Sequence, residues 1–467
     1  MAAKTWVIHG GGLAAWAAAV LLARDLTSDH NVVVVEDAAE KAADTMDVVL
    51  ADPDGMLLQL ADGAADDLLA AGQAGFCLGA VWRDWRAGKD IAVAHQEPLP
   101  KIDGVAIPDL VHRAATSAAE GHSHADLLAP LQFQARAMMA ERYAHPSADR
   151  QSPRSLLKPQ IVLDGNALAT RLKARAQQLG VTAVCETEAA ELSPFMTLDT
   201  RPAAFAGDAD WRTRLGHDRR LTMHIRPRRA PPPYVEMRLL AEGLATHFAL
   251  PHVEIVSLDY DSALVTTDQA RSGITSLIGE TDILPETDAS SSPGFLRAPW
   301  RDKTLAFGLA AARFGPVMDG VCLDEQLRRL ATHLPGAPDQ VSACAAAYNQ
   351  ALARDLGHRA DRLHLMRIQG PGGERLAPPG PDLQRRIDLF QSRNASVALD
   401  GDPYDAQHWI MLMASLGLQA RRHDVQADRL NLSAAMGSIG RMVMAFDQTL
   451  ATMPSHETVL NSLRRAD

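Results

Sequence analysis

Cysteine is scarce in this chain, with Cys77, Cys185, Cys322 and Cys344 the only four in 467 residues and no paired spacing among them. That excludes a disulfide framework and a thiolate zinc site, and it suits a reducing, cytoplasmic setting. Aromatic residues make up only 5%, too few for a run of stacking platforms on single-stranded nucleic acid. Positive charge is short as well. Lys and Arg number 46 against 57 Asp and Glu, a net −11 that opposes a phosphate backbone. Long hydrophobic runs are missing too: the longest near the N-terminus, Leu13 to Ala23, cannot span a bilayer, and the triple glycine before it breaks any signal-peptide core. A soluble, unprocessed protein that engages neither membrane nor nucleic acid is expected.

What is present is an ordinary globular composition, 47% apolar and 22% charged, long enough for two or three domains around a large shared core. Its clearest unit is the stretch from Thr5 to Glu36, TWVIHGGGLAAWAAAVLLARDLTSDHNVVVVE. A short apolar strand ends in Gly10-Gly11-Gly12, an alanine-rich buried helix follows, and a second apolar strand stops at Glu36. This is the order a dinucleotide-binding βαβ unit requires. Gly10 permits the tight turn, Gly12 lets backbone approach a pyrophosphate at the helix N-terminus, and Ala15 stands in for the third glycine. Glu36 is placed to accept hydrogen bonds from a ribose 2′-hydroxyl and to repel a 2′-phosphate.

Further along, Gly75 to Trp85 reads as one strand, and Asp126 to Tyr143 as amphipathic helix. Gln160 to Val184 is a second strand-helix-strand unit, and Arg219 to Arg229 a solvated basic strand before a stiff proline turn. Val253 to Thr267 is read as β, and Leu305 to Arg313 as the start of a long helix. The last third is mostly helical, with breaks at Gly370 to Pro381. His122 and His124 lack a third ligand at helical spacing, so they are read as surface polar residues rather than a metal site.

Several stretches then match one family in order, and the chain resembles the flavin-dependent tryptophan halogenases over essentially its full length. GGGLAAW is similar to the family's GGGTAGW, AGFCLGAVWRDW to ATFKLGIRFEDW, and APWRDKTLAFGLAAARFGP to WVGNCVALGLAAGFLEP. RRIDLFQSRN, QHWIMLMASLGLQARRHDVQAD and MPSHETVL match later segments. The resemblance implies an α/β fold: an FAD-binding, Rossmann-like domain of the aromatic-hydroxylase and halogenase type, an interleaved substrate domain and a helical C-terminal part. On this reading residues 1–370 hold the interleaved FAD and substrate subdomains, and residues 371–467 a mostly helical region on the same core. The cofactor implied is FAD, held at Gly10, Gly12, Ala15, Glu36 and Gly308. The resemblance also implies a separate flavin reductase, an aromatic small-molecule substrate and a homodimer.

In that family a lysine and a glutamate beside the substrate direct hypohalous acid onto an arene. Here the lysine position holds Cys77, a neutral thiol that cannot replace an ammonium. The glutamate position holds Met318, with Asp319 and Gly320 where hydroxyl residues flank the family's halide, and Asp319 or Asp324 is the nearest substitute carboxylate. The WxWxIP motif survives as Thr246, Phe248, Leu250 and Pro251, the GVGEAT stretch is replaced by VVLADPDGM, and Lys303 stands where an asparagine is usual. Cys77, Phe248 and Pro251 are therefore expected in the inherited substrate cavity. The expectation is a weakly FAD-binding relative that has lost the halogenating groups and acts as a monooxygenase or oxidoreductase. The alternatives are a non-catalytic partner of the same fold and a halogenase with relocated groups.

Overall fold

The computed structural model describes residues 4–36, 46–86, 88–96, 99–117, 124–202, 211–279 and 282–464. Its first sheet has six strands in the order Thr182–Val184, His30–Val35, Lys4–His9, Met196–Asp199, Thr304–Ala306, Trp300–Arg301. The first five run parallel and the last antiparallel. Trp6 and Ile8, at 0% exposure, alternate with Val7 along the central strand, as a strand buried on both faces demands. The helix Leu13–Asp25 lies on this sheet with every residue from Leu13 to Leu22 buried, as its alanine-rich composition foretells. The helices Gly165–Gln178 and Pro316–Thr332 pack against it in turn.

A second, seven-stranded sheet runs Ile283–Ser290, Arg219–Ile225, Glu254–Tyr260, Leu244–Ala249, Val235–Leu239, Gly79–Arg86, Lys89–Ala94. One hydrophobic cluster joins Leu221, Met223 and Ile225 to Ala270 and Ile274 of the helix Thr267–Ile278. Another packs Trp82, Trp85 and Met237 against Leu383, Phe390 and Trp409 of the C-terminal helices Pro381–Arg393 and Ala406–Ser415. The basic stretch from Arg219 is thus an internal strand. Arg220 is turned inward onto Asp259, while the partly exposed Arg219 pairs with Asp288.

The expected strand Gly75 to Trp85 is two strands. Ala74–Cys77 belongs to a small three-stranded sheet with Val48–Ala51 and Gln160–Asp164, and Gly79–Arg86 to the seven-stranded one. The chain changes sheets at Leu78, whose N–H donates to the Pro233 carbonyl. The next residue must be glycine, because a Cβ at Gly79 would sit 2.3 Å from the Val93 carbonyl oxygen. The expected helix from Leu305 also fails to form. Leu305 pairs with Leu198 in the parallel sheet, Gly308 turns at φ +64°, and the helix waits until Pro316. Between Asp126 and Tyr143, Pro130 sits in a 3₁₀ turn separating the helices His124–Leu128 and Phe133–Met139. Glu254–Tyr260 is the only strand within the stretch read as β from Val253, and a helix begins at Thr267. Among the described residues no helix is long and apolar enough to cross a membrane, and no group of three ligating side chains could hold a metal. His122 lies outside the described residues. His124 is not a surface residue but is buried edge-on against His112.

Candidate active site

The strand Lys4–His9 lies between His30–Val35 and Met196–Asp199, so the chain leaves it in opposite directions and opens a crevice at its C-terminal end. The glycine turn fills that end. Gly10 adopts φ +120°, and a Cβ there would strike the Thr200 hydroxyl at 2.2 Å; that hydroxyl donates to the His9 carbonyl at 2.8 Å. Gly12 precedes the first helical residue with extended backbone and no side-chain cap, which leaves the first helical N–H groups facing the crevice. Ala15 is fully buried one turn in. Gly308 comes to the same helix end from the far side of the sequence. A Cβ on it would lie 2.4 Å from that of Ala14, and the buried Gln326 side chain holds its N–H at 2.8 Å. Gly10, Gly12, Ala15 and Gly308 therefore form one cradle.

Glu36 closes the cradle at the end of the second strand, with Gly11 beside it. Its carboxylate accepts from Lys173 Nζ at 2.7 and 2.9 Å, and the same ammonium lies 5.0 Å from the Trp16 ring centre. The pairing changes the expected role. Lys173 offsets the charge that was to repel a 2′-phosphate, so Glu36 offers acceptors rather than an isolated negative charge. Neither Lys173 nor Thr200 carries any sequence signal of this kind, because each meets the cradle only through the fold.

A cavity of about 400 Å³ lies along the helix Pro316–Thr332, whose Gln326 also holds the Gly308 turn. The helix Pro316–Thr332 lines it with Val317, Met318, Val321, Asp324 and Arg328, a single stripe at helical spacing. The turn at Asp52 to Met56 forms a second wall, and Arg359, Arg362 and Tyr404 a third. The two candidate carboxylates separate here. Asp324 faces the cavity, with its Oδ1 accepting the Leu57 N–H at 2.8 Å, and burial pushes its carboxyl up from the ordinary range. Asp319 is 6% exposed and turned back on its own helix start: its Oδ1 accepts the N–H groups of Phe314 at 2.7 Å and Gly315 at 3.1 Å. Arg220 stands between it and Asp259, 3.6 Å from one and 2.7 Å from the other.

Cys77, Phe248 and Pro251, the residues expected in a substrate cavity, are placed as follows. Cys77 is 1% exposed, its thiol donates to the Gly79 carbonyl at 3.3 Å, and burial pushes its pKa up to about 12. Phe248 is 1% exposed in the core between the seven-stranded sheet and the C-terminal helices, and Pro251 is half-buried in the turn after that strand. None of the three lines the 400 Å³ cavity. The change of sheet at Leu78 is the physical reason for Cys77: its strand is paired with Gln160–Asp164, and Gln160, its register partner, is the residue that reaches the cavity.

A family model described as tryptophan halogenase matches residues 5–193 and 202–431. No curated protein sequence matches the chain. Among solved structures, BrvH, a flavin-dependent halogenase from Brevundimonas sp. BAL3, superposes with a TM-score of 0.82 at 21% identity, covering 99% of each chain. Xcc4156, a flavin-dependent halogenase from Xanthomonas campestris, gives 0.82 at 19% identity, again over 99% of each. SttH, a tryptophan 6-halogenase from Streptomyces toxytricini, gives 0.82 at 16% identity over 98% of this chain and 100% of that one. At such identities the structures establish the shared fold, and the family model spans most of the sequence. The chain belongs to the tryptophan halogenase family.

Proposed function

We propose that the protein binds FAD in the glycine cradle and acts on an aromatic small molecule in the cavity along the helix Pro316–Thr332, as a flavin-dependent oxygenase that does not halogenate. One observation carries this reading: the helix Pro316–Thr332 faces both sites. Gln326 holds the Gly308 turn against the first helix, while Val317, Met318, Val321 and Asp324 line the cavity. The cradle fits the group it would hold. Backbone without side chains meets the positive end of a 13-residue helix, and a carboxylate stands at the end of the second strand.

FAD, when bound and reduced by a separate reductase, supplies the redox chemistry with oxygen. The residues of this chain do the rest. The first N–H groups after Gly12 take the pyrophosphate, and Glu36, steadied by Lys173, accepts the ribose hydroxyls. Met318 and Val321 exclude water from the ring of the substrate. Asp324, anchored through Oδ1, leaves Oδ2 to accept a proton from that ring. The lysine position contributes nothing, since Cys77 is a buried, protonated thiol outside the cavity.

Titrating apo-protein with FAD while following flavin fluorescence tests the first step. Quenching is expected in the micromolar range or above, and Gly12→Val removes it by placing a side chain in the pyrophosphate path. An absence of binding at saturating FAD sinks the flavoprotein reading. It would favour a non-catalytic partner of the same fold, for which the filled surroundings of Cys77 already speak. Supplying reduced FAD, oxygen, bromide and tryptophan should give no product with a bromine isotope doublet; one that depends on the protein sinks the claim that halogenation is lost.

A further inference from the structure

The cavity carries polar groups whose bonding capacity the protein leaves unused. Arg359 and Arg362 stand one turn apart on the helix Val341–Ile368 and both line it. The Arg359 side chain is only 12% exposed, yet its nearest carboxylate, Glu325, is 3.8 Å away. Glu325 is already claimed by Arg328 and by Arg329, the latter at 2.7 Å. The Arg359 Nε is buried with no hydrogen-bond partner. Arg362 makes no ion pair among the described residues. Its Nε donates to the His408 ring at 3.1 Å, and its guanidinium lies 5.2 Å from the Tyr404 ring centre.

Two more groups on the same walls are equally unmet. His95 Nε2 and Gln160 Oε1 are buried without partners, and both residues line the cavity. His95 cannot be the compensating charge, because burial and then Arg362 push its pKa down to about 3. The carboxylates of the cavity come from other walls. Asp52 and Asp54 are exposed on the turn, and Asp324 is bonded to the Leu57 N–H. Met56, Val317, Met318 and Val321 supply the apolar part of the same lining. Buried polar groups that lack partners in a concave, half-apolar site are the mark of a ligand that supplies them.

We propose that this cavity selects an aromatic oxyanion, its carboxylate or phosphate docked on Arg359 and Arg362 and its ring against Met318 and Val321. The proposal rests on reading the cavity as the substrate site. A planar oxyanion meets guanidinium forks in paired hydrogen bonds, and Arg362 is braced for this by its contact with Tyr404. Neutral His95 can donate from its Nε2–H to the same oxyanion, and Gln160 Oε1, an acceptor, is placed to take an N–H or O–H donor on the ligand's ring. A neutral isostere would leave both guanidiniums as they are now, so discrimination between charged and uncharged ligands should be large.

Calorimetric titration of the full-length protein with 2-naphthoate, 2-naphthyl phosphate and 2-naphthamide is the test. One or both oxyanions should bind at least ten-fold more tightly than the amide, and which of them wins identifies carboxylate or phosphate as the source. Arg359→Met and Arg362→Met should each erase that ten-fold margin, whereas Arg362→Lys, which keeps the charge and guards against misfolding, should retain part of it. FAD affinity, measured on the same samples, should be unchanged in all three variants. Equal binding of amide and oxyanions, wild-type margins in both methionine variants, or no binding of either oxyanion up to millimolar concentration overturns the proposal. Failure of FAD to bind, with oxyanion selectivity intact, overturns the flavoprotein reading instead.

Discussion

At the scale of the residue, burial decides what each titratable group does. Cys77 is a packing residue: its thiol is held protonated, so alkylating reagents at pH 8 should label the exposed Cys185 and leave Cys77 untouched in folded protein. Cys77→Ala should cost no more than about 1–2 kcal/mol, the loss from a small cavity, as read from chemical denaturation midpoints. His456 is a second case. Its Nε2 accepts the Phe76 N–H at 3.3 Å and its Nδ1–H donates to the Pro231 carbonyl at 2.8 Å, so one neutral tautomer ties three distant segments together. Burial, opposed only by the Pro231 bond, pushes its pKa from 6.5 down to about 4. The unfolded ring protonates near 6.5 and the folded one only near 4, so the contribution is complete above 6.5 and drains away as pH falls toward 4. The loss amounts to about 3 kcal/mol. His456→Gln, which keeps an acceptor and a donor, should show a shallower fall in unfolding free energy between pH 7 and pH 4.5; parallel slopes for both proteins would refute this assignment.

At the scale of the element, the first part of the cradle is legible in the sequence because it is local. A strand, three glycines, a helix and a terminal acid lie within the stretch from Thr5 to Glu36, and each residue type has a backbone reason to be there. The failures are equally physical. Gly79 is required by a carbonyl on a neighbouring strand, Val93, so nothing in its own segment marks the change of sheet. Leu305 to Arg313 carries helix-forming residues, but Leu305 is captured by the parallel sheet and Gly308 by the first helix. Arg359 and Arg362 sit on a long polar helix and look like any solvated face until the fold turns them inward. Gly308 supplies the sharpest test at this scale. Gly308→Ala puts a methyl against Ala14 at a positive φ, and it should cost about 2–4 kcal/mol through strain and overpacking. The FAD affinity should fall with it, because the first turn of the helix is displaced. An alanine variant with wild-type stability and FAD binding would mean that the turn does not brace the cradle.

At the scale of the whole molecule, the C-terminal helices are fastened from within. Arg386 and Asp402 form an ion pair with both side chains at 0% exposure, and Trp409 Nε1 donates to the same carboxylate at 2.9 Å. Through Asp402, which lies in the connection between them, Arg386 of the helix Pro381–Arg393 is tied to Trp409 of the helix Ala406–Ser415. Asp402→Ala strands a buried guanidinium, and thermal unfolding of that variant should report a loss of about 3–5 kcal/mol. The other molecule-wide feature is the helix Pro316–Thr332, whose one side steadies the Gly308 turn while another side forms a cavity wall. A wall shared by two binding events closes a thermodynamic cycle. Whatever factor the oxyanion changes in FAD affinity, FAD must change in oxyanion affinity, whichever arrives first. On the proposed reading, occupation of the cavity is thereby felt at the cofactor site through this one helix.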